Sequence, residues 1–332
     1  MDYLLGIDLG STSLKAVVYD LDGQAVARGS VGNTKAHLNP EHPEWAVWIP
    51  KAIWEGTAEA VRTALSKIDN PRRIRGVAVT GMGMDGLPVD ENGKDLYPFI
   101  SWHDPRTGPQ LNWWRKNVGV ERTFSIGGNP VWPINSALRI LWMMENEPEV
   151  MARADKWLLI EDYVNYLLCG RQVTDYSMAS CTMLFDQRHM VWSEELLDLS
   201  GIERRLLCMV QPSGTVIGEV TPQAAQATGL VPGTPVVLGG HDHLCGALPV
   251  GAFRPGLVLD VTGTWESVLT ATAGPVLYPQ LRTIGATVQA HVARGRHAVW
   301  GGNVAAEMLE WYRRQFGNRS EERRVGKECR SR

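Results

Sequence analysis

The first strands of the chain constrain its fold most, because very short turns join them. Residues 3–8, 14–19 and 24–31 are apolar runs of strand length. The linking segments, GSTS at residues 10–13 and DLDG at residues 20–23, carry the small and polar residues typical of tight turns. Turns this short join only antiparallel neighbours, since a parallel connection needs about a dozen residues or more. The chain is therefore predicted to begin as an antiparallel meander.

A helix and a fourth strand follow the meander. Apolar residues at positions 53, 61, 64, 65 and 68 recur at helical spacing, which predicts an amphipathic helix over residues 51–68. Residues 74–80 form the next apolar run and are predicted to be a strand. Strand-strand-strand-helix-strand is the layout of an RNase H-like half-domain, so the predicted fold class is α/β with a mixed sheet.

The remainder of the chain mixes helices with short strands. Helices are predicted over residues 136–144, 156–168, 193–199 and 222–228, and strands over residues 234–238, 257–259 and 267–270. The last two strands flank the turn DVTGTW at residues 260–265, which is similar to DLGSTS at residues 8–13. A duplicated fold with one phosphate loop in each half explains this similarity, and so does chance, because Gly/Thr turns are common between strands.

The composition excludes several classes of protein. Lys and Arg number 33 against 36 Asp and Glu, without the basic stripe that nucleic-acid binding needs. No run approaches the roughly 18 apolar residues of a membrane-spanning helix. The five cysteines are scattered without CxxC spacing, which argues against disulfides and zinc and fits a reducing compartment. The N-terminus lacks the basic region of a signal peptide, so a cytoplasmic location is expected.

The last residues differ in character from the rest. Residues 319–332 read RSEERRVGKECRSR and break the apolar periodicity of the segment before them. This string resembles the in-frame translation of a sequencing-adapter oligonucleotide. We therefore expect a non-native tail and a natural sequence interrupted after Asn318. A natural polar tail is the alternative interpretation.

The DLGSTS turn at residues 8–13 has the chemistry of an anion site. Backbone amides of a glycine-containing turn can converge on an anion, and the hydroxyls of Ser11, Thr12 and Ser13 add donors. A carboxylate at a strand end, here Asp8, suits Mg²⁺ bound through its water shell. An ordinary hairpin turn is the structural alternative.

The second motif is GGHDH at residues 239–243, which follows an apolar strand. Glycine lets a ligand approach the backbone closely, and Asp242 could accept the proton of a substrate hydroxyl. Two alternatives stay open: Asp242 caps the following helix, or it binds a transition metal together with His241 and His243. No further ligand with matching spacing is visible in the sequence, so the base is favoured over the metal site.

Two further segments offer polar groups for a polyol. WHDPR at residues 102–106 combines an aromatic ring, a carboxylate and a guanidinium, although an Asp–Arg pair in a surface turn looks the same. GMGMDG at residues 81–86 ends the fourth strand, where ligands bind in α/β sheets. Its Asp85 either accepts a hydroxyl or shapes the turn.

Together these motifs resemble, in order and over residues 2–318, those of the FGGY family of carbohydrate kinases. DLGSTS resembles the family's N-terminal phosphate loop, and GGHD matches the G-x-x-D that carries its catalytic base. WHDPR resembles W-x-D-x-R. HPEW at residues 42–45, followed by Pro50 and Trp54, resembles the family's GW-x-E-x-x-P-x-x-x-W, with Val47 where Glu is usual. EDY at residues 161–163 and TDYS at residues 174–177 resemble its DY…TDYS run. GTW at residues 263–265 resembles its second phosphate loop.

The resemblance implies two RNase H-like domains of the actin/hexokinase/Hsp70 type that close over ATP, Mg²⁺ and a sugar. Residues 1–245 are expected to form the N-terminal domain and residues 246–318 the incomplete start of the second. The implied reaction transfers the γ-phosphate to a sugar or polyol hydroxyl. The resemblance implies that Asp242 is the base and that Asp8 belongs to the Mg²⁺ site. The residues implied to bind phosphate are Gly10, Ser11, Thr12, Ser13, Gly263 and Thr264. The residues implied on the sugar side are Asp85, Trp102, Asp104 and Asp242.

The departures from the family bear on the substrate and on activity. Asp85 stands where xylulokinase-like members have His and glycerol kinases have Glu, and His103 replaces a frequent Asn. A pentulose such as xylulose or ribulose is the first expectation, a linear polyol the alternative, and a homodimer is left open. The family's adenosine-binding motif lies downstream of any residue present. Because phosphoryl transfer depends on positioning, the chain is expected to turn over very slowly or not at all.

Two competing functions remain at this point. A sugar-binding module without catalysis has the same motifs, but a pure binder has no need of a base at Asp242. An actin-like or Hsp70-like ATPase without a sugar site shares the fold, but the WHDPR cluster and the long segment at residues 109–220 favour a small-molecule site.

Overall fold

The computed structural model describes residues 2–262, 265–304 and 306–316. The predicted phosphate-loop residues Gly263 and Thr264 and the predicted tail at residues 319–332 lie outside the described residues. Among the helices of the described residues, none combines the length and the apolar character that a membrane crossing requires.

Strands and helices alternate along the chain. The strands are β1 (Tyr3–Leu9), β2 (Ser13–Asp20), β3 (Ala25–Gly32), β4 (Val47–Trp48), β5 (Ile74–Gly81), β6 (Gly86–Val89), β7 (Phe99–Ile100), β8 (Lys156–Leu159), β9 (Val173–Asp175), β10 (Phe185–Asp186), β11 (Val191–Trp192), β12 (Met209–Gln211), β13 (Val216–Glu219), β14 (Pro235–His241), β15 (Val258–Val261), β16 (Trp265–Thr272), β17 (Thr287–Ala290) and β18 (His297–Val304). The helices are α1 (Pro50–Leu65), α2 (Gly108–Asn117), α3 (Val120–Gly127), α4 (Ser136–Asn146), α5 (Pro148–Arg153), α6 (Ile160–Cys169), α7 (Tyr176–Ser180), α8 (Glu194–Ser200), α9 (Pro222–Thr228), α10 (Asp242–Ala247), α11 (Pro279–Thr283) and α12 (Ala306–Phe316).

A six-stranded sheet carries the first half of the fold, in the order β13-β14-β5-β1-β2-β3. The first three strands pair antiparallel, as the short turns predict. On the other side of β1, β5 pairs with it in parallel, and β14 pairs in parallel with β5. Helices pack against this mixed sheet. The predicted α/β class and the predicted opening meander are therefore confirmed.

Helix α1 lies against β2 and β3 at unusually short range. It turns Ile53, Val61 and Leu65 into the core, in keeping with the spacing of its apolar residues. A Cβ atom on Gly29 of β3 would lie only 1.9 Å from the carbonyl oxygen of Ala60. Backbone therefore packs on backbone here, and only glycine permits it.

The segment between β7 and β14 builds a second core of its own. It packs large aromatic and aliphatic side chains together, among them Trp114, Trp142, Phe185 and Trp192. This segment is tied back to the strand ends by the antiparallel pair β6 and β8. The long insertion is thus a packed body that borders the edge of the main sheet.

The predicted helix over residues 156–168 is wrong in its first turn. Lys156–Leu159 is strand β8, and helix α6 begins only at Ile160. The carboxylate of Asp162 accepts a hydrogen bond from the Leu159 amide at 3.1 Å, which closes the helix N-terminus at that point. The partner strand β6 is distant in sequence, so helical periodicity gives no sign of the pairing.

A second sheet follows, with the antiparallel order β15-β16-β18-β17. Its strands come from residues after Val258, whereas the first sheet ends at His241. The division of the chain into domains at residues 1–245 and 246–318 stays a prediction.

We predict that Gly29→Ala destabilises the fold by about 2 kcal/mol, because the added methyl group must push α1 off β3. Urea unfolding followed by circular dichroism measures this free energy. Gly32→Ala in the same strand is the matched control, since a Cβ there meets nothing within 4 Å. Its unfolding free energy should stay within about 0.5 kcal/mol of the wild type. Equal unfolding midpoints for the two variants contradict the packing argument.

Candidate active site

An open cleft of about 580 Å³ lies where the two sheets meet. Ser11, Trp102 and Asp242 line it from the side of the first sheet, and Ser267 and Trp300 line it from the second. Three residues chosen from separate sequence motifs therefore share one cavity.

The DLGSTS segment is the tight turn between β1 and β2. The Gly10 amide donates to the Ser13 carbonyl at 3.2 Å, so this amide is used inside the turn. Asn33 holds the turn from outside, because its side chain donates to the Gly10 carbonyl at 2.9 Å and its amide to the Thr12 carbonyl at 2.9 Å. Sequence reasoning missed Asn33, although its place just after β3 was a usable signal.

Asp8 lies at the end of β1, opposite Lys15 in the antiparallel register. The Lys15 ammonium contacts its carboxylate at 3.2 Å. Burial raises the pKa of Asp8, Lys15 opposes this, and the negative charge of Asp242 raises the pKa further. A Cβ on Gly10 would lie 3.0 Å from the Ser13 carbonyl oxygen and 4.0 Å from both carboxylate oxygens of Asp8, so glycine lets the turn pack closely beside Asp8. A carboxylate next to a turn that carries three hydroxyls offers the oxygen ligands that Mg²⁺ prefers.

Asp242 is the first residue of helix α10 and is partly exposed to the cleft. Its Oδ1 accepts a hydrogen bond from the His243 amide at 2.6 Å. Burial raises the pKa of Asp242, but the donors of His243 and the neighbouring imidazoles outweigh this and leave it below the ordinary value. The carboxylate is therefore ionised at neutral pH and able to accept a proton.

The two flanking histidines keep a metal alternative open. One ligand atom from each of His241, Asp242 and His243 lies within 4.8 Å of the others. Two imidazoles with one carboxylate suit a transition metal better than Mg²⁺. Among the described residues no fourth His, Cys, Asp or Glu side chain joins these three, so the base stays favoured over the metal site.

Asp85 lies beneath the floor of the cleft and is fully buried. Its carboxylate accepts a hydrogen bond from the Trp48 indole at 2.7 Å and lies 3.8 Å from the Arg139 guanidinium. Burial raises the pKa of Asp85 to about 7, although Arg139 and Trp48 both oppose the shift. Met84, its neighbour in sequence, lines the cleft where Asp85 does not.

Asp104 is buried in a two-pronged ion pair with Arg106, at 2.8 and 2.7 Å. The same carboxylate accepts the Ala46 amide at 2.6 Å. The guanidinium carbon of Arg106 lies 4.3 and 4.7 Å from the rings of Trp45 and Trp142. This cluster is a structural clamp behind the cleft, so the arrangement brings Trp102 to the cavity but not Asp104.

Two indoles that sequence reasoning did not single out also line the cleft. Trp132 comes from the helical insertion and Trp300 from β18, and their rings meet edge to face at 6.2 Å. No sequence motif marks these two residues, because tertiary packing brings each of them to the cleft. The one hint in the sequence is the excess of Trp, 13 against 5 Phe.

Comparison with known proteins places this geometry in a family. The N-terminal domain of the FGGY family of carbohydrate kinases matches residues 3–249. The chain is 31% identical over 315 residues to L-fuculokinase of Escherichia coli (strain K12), covering 95% of this chain and 66% of that protein. It is also 31% identical to xylulose kinase of Lactococcus lactis subsp. lactis (strain IL1403), covering 96% of this chain and 62% of that protein.

The fold has the same relatives. The crystal structure of xylulose kinase from Rhodospirillum rubrum superposes with a TM-score of 0.89 at 28% identity, covering 96% of this chain and 64% of that one. In each comparison the chain spans about two thirds of the relative's length or less. The family match covers residues 3–249, which include the motifs whose residues line the cleft. The chain belongs to the FGGY family of carbohydrate kinases.

Proposed function

We propose that this protein transfers the γ-phosphoryl group of ATP to a hydroxyl of a sugar. The observation that carries the proposal is the shared cleft, where a turn suited to phosphate, a carboxylate suited to act as base and a Trp face one cavity. Membership of a family of carbohydrate kinases supports the same reaction.

We propose that the nucleotide end of the cleft is the DLGSTS turn. Asp8 would hold Mg²⁺, and when bound, Mg-ATP supplies the phosphoryl group that is transferred. The tight bonding of the turn to Asn33 supports this role, because a phosphate cradle must keep its donors in place. The phosphate-binding residues proposed here are Gly10, Ser11, Thr12 and Ser13, with Gly263 and Thr264 retained as a prediction.

We propose Asp242 as the general base. Its Oδ1 is engaged by the His243 amide, so Oδ2 is the oxygen left to accept the proton of the substrate hydroxyl. A pKa below the ordinary value keeps this group ionised, which a base requires at neutral pH. The proton would move to Oδ2 as the substrate oxygen forms its bond to the γ-phosphorus. The bond from that phosphorus to the β,γ-bridging oxygen would break at the same time, and ADP would leave.

The sugar end of the cleft is proposed to be the wall that contains Trp102 and Trp132. Indole faces pack well on the C–H faces of a sugar. A pentulose stays the first prediction and a linear polyol the alternative. Contact of Asp85 and Asp104 with the sugar stays a prediction that their burial does not favour.

The first prediction concerns the base. In Asp242→Asn, turnover should fall by about 10²- to 10⁴-fold, because the amide cannot accept the proton. Sugar affinity should change by less than about tenfold, because the amide keeps its shape and hydrogen bonds. ADP release with a panel of pentuloses and polyols measures turnover, and quenching of tryptophan fluorescence measures sugar binding.

Asp198→Asn, an exposed change on α8, is the matched control and should match the wild type in both assays. Sugar binding together with equal ADP release from the wild type and from Asp242→Asn would contradict the role of the base and favour a non-catalytic binding module. No sugar binding at all would favour an ATPase without a sugar site. A turnover number of ordinary size for the wild-type chain would contradict the prediction of slow turnover.

The second prediction concerns the pH dependence of stability. Folding raises the pKa of Asp85 from near 4 to about 7, so the folded state binds its proton more tightly. The stability gained in this way is complete at low pH and is lost as pH rises through 7. Between pH 5 and 8, the wild type should lose about 2–3 kcal/mol of unfolding free energy more than Asp85→Asn, which cannot ionise.

Urea unfolding at pH 5, 6, 7 and 8 measures this difference. The comparison of the two proteins cancels the other buried acids, which titrate in both. Parallel curves for wild type and Asp85→Asn would mean that Asp85 is already ionised in the folded protein at pH 5.

A further inference from the structure

A chain of contacts runs from the second sheet to the proposed base. The Trp300 indole nitrogen donates to Oε1 of Gln289 at 2.5 Å. Nε2 of Gln289 lies 3.4 Å from Nδ1 of His241. On the other side of the imidazole, Nε2 of His241 lies 3.7 Å from Oδ1 of Asp242. Gln289 is fully buried, and Trp300 and His241 are buried beside it.

The order of donors and acceptors in this chain sets the proton on His241. An indole N–H can only donate, so the amide oxygen of Gln289 must face Trp300. The amide nitrogen then faces His241, and it too can only donate. Nδ1 of His241 must therefore be the acceptor. In a neutral imidazole the single proton is then on Nε2, on the side of Asp242.

The surroundings keep His241 neutral and leave this tautomer unopposed. Burial lowers the pKa of His241 to about 3, and burial also keeps Cys181 a neutral thiol by raising its pKa well above the ordinary value. The thiol sulfur lies 2.9 Å from the Gln289 amide nitrogen and 3.4 Å from Nδ1 of His241. No negative charge from Cys181 therefore draws a proton to Nδ1.

The imidazole is also fixed in place. The His241 amide donates to the Ser177 hydroxyl at 2.9 Å, and that hydroxyl is hydrogen-bonded in turn to Asp175. On the far side, a Cβ on Gly83 would lie 2.7 Å from Nε2 of His241, so the segment that follows β5 closes the space around the ring. Backbone and ring are thus both held while the proton faces Asp242.

We propose that Gln289 is a positioning residue that holds His241 in the Nε2–H tautomer and directs this N–H toward Asp242. At 3.7 Å the contact is longer than a hydrogen bond, so the N–H acts as a dipole that favours the carboxylate form of Asp242. The consequence for catalysis rests on the proposed function, whereas the tautomer does not. The groups that face this pair are His243 and Asp8 around Asp242, and His243, Cys181 and Gln289 around His241.

Nitrogen-15 NMR of the full chain with labelled histidine tests the tautomer directly. The signals of His241 are assigned by their loss in His241→Gln. We expect a protonated Nε2 and an unprotonated Nδ1 in the wild type at pH 7. A protonated Nδ1 in the wild type overturns the proposal, whether or not the protein is active.

Gln289→Glu reverses the polarity of the link, because a carboxylate can only accept from His241. Nδ1 should become protonated, and kcat should fall by at least about tenfold while KM for the sugar changes less. Gln187→Glu is the matched control, since Gln187 is an equally buried glutamine that donates to the Gly127 carbonyl instead. It should leave the proton on Nε2 of His241 and kcat unchanged, even where stability falls.

Where Gln289→Glu does not fold, Trp300→Phe removes the indole donor and frees the amide to rotate. A share of protonated Nδ1 should then appear in the spectrum. An unchanged tautomer in both variants overturns the role of Gln289, and so does an unchanged kcat after a switch of tautomer. Failure of the wild type to bind any sugar of the panel would contradict the proposed function and leave the NMR result standing.

Discussion

The parallel pairing of β1, β5 and β14 is the constraint on which the cleft depends. In this register Asp8 lies opposite Thr80, and Thr80 lies opposite Gly240, two residues before Asp242. The Thr80 hydroxyl donates to the Gly240 carbonyl at 2.6 Å and locks the last pair. Because parallel strands end at the same edge of a sheet, this pairing brings together the ends of strands that carry Asp8 and Asp242, two carboxylates far apart in the sequence.

Two carboxylates at one edge of the sheet repel each other, and the neighbouring residues stabilise the two charges in different ways. Asp8 is held by the Lys15 ammonium, yet burial and the charge of Asp242 keep its pKa above the ordinary value. Asp242 is stabilised instead by the His243 donors, which bring its pKa below the ordinary value. The same edge therefore presents one carboxylate whose buried negative charge a cation would stabilise and one that its hydrogen-bond donors keep ionised. The proposed roles of Mg²⁺ ligand for Asp8 and base for Asp242 follow this difference. This asymmetry is the physical reason for assigning them different roles.

The sequence predicts those parts of the molecule whose interactions are local. The meander follows from turn length, and α1 follows from apolar spacing, and both are found where expected. Lys156–Leu159 is a strand where periodicity predicts a helix, because its partner strand is remote in the sequence. Burial is equally invisible in a motif: Asp85 and Asp104 belong to recognisable segments, but the side chains of Trp48 and Arg106 cover them. Gln289 and Trp300 carry no motif, since tertiary packing alone brings them to His241.

The apolar lining of the cleft strengthens the electrostatic interactions of its few polar groups. Met82, Met84, Trp102, Trp132 and Trp300 form much of its wall, and Asp242 and Ser11 are set among them. A hydrogen bond or dipole acts more strongly where water is scarce, because the local dielectric constant is lower. Asp242 is partly exposed to the cleft, but His241 is buried, so the N–H dipole proposed for it 3.7 Å from Oδ1 of Asp242 is screened less than it would be in water. The second sheet contributes Trp300 to that wall. In our proposal the same indole also orients the imidazole beside Asp242 through Gln289, so one side chain affects both the shape of the cleft and its electrostatics.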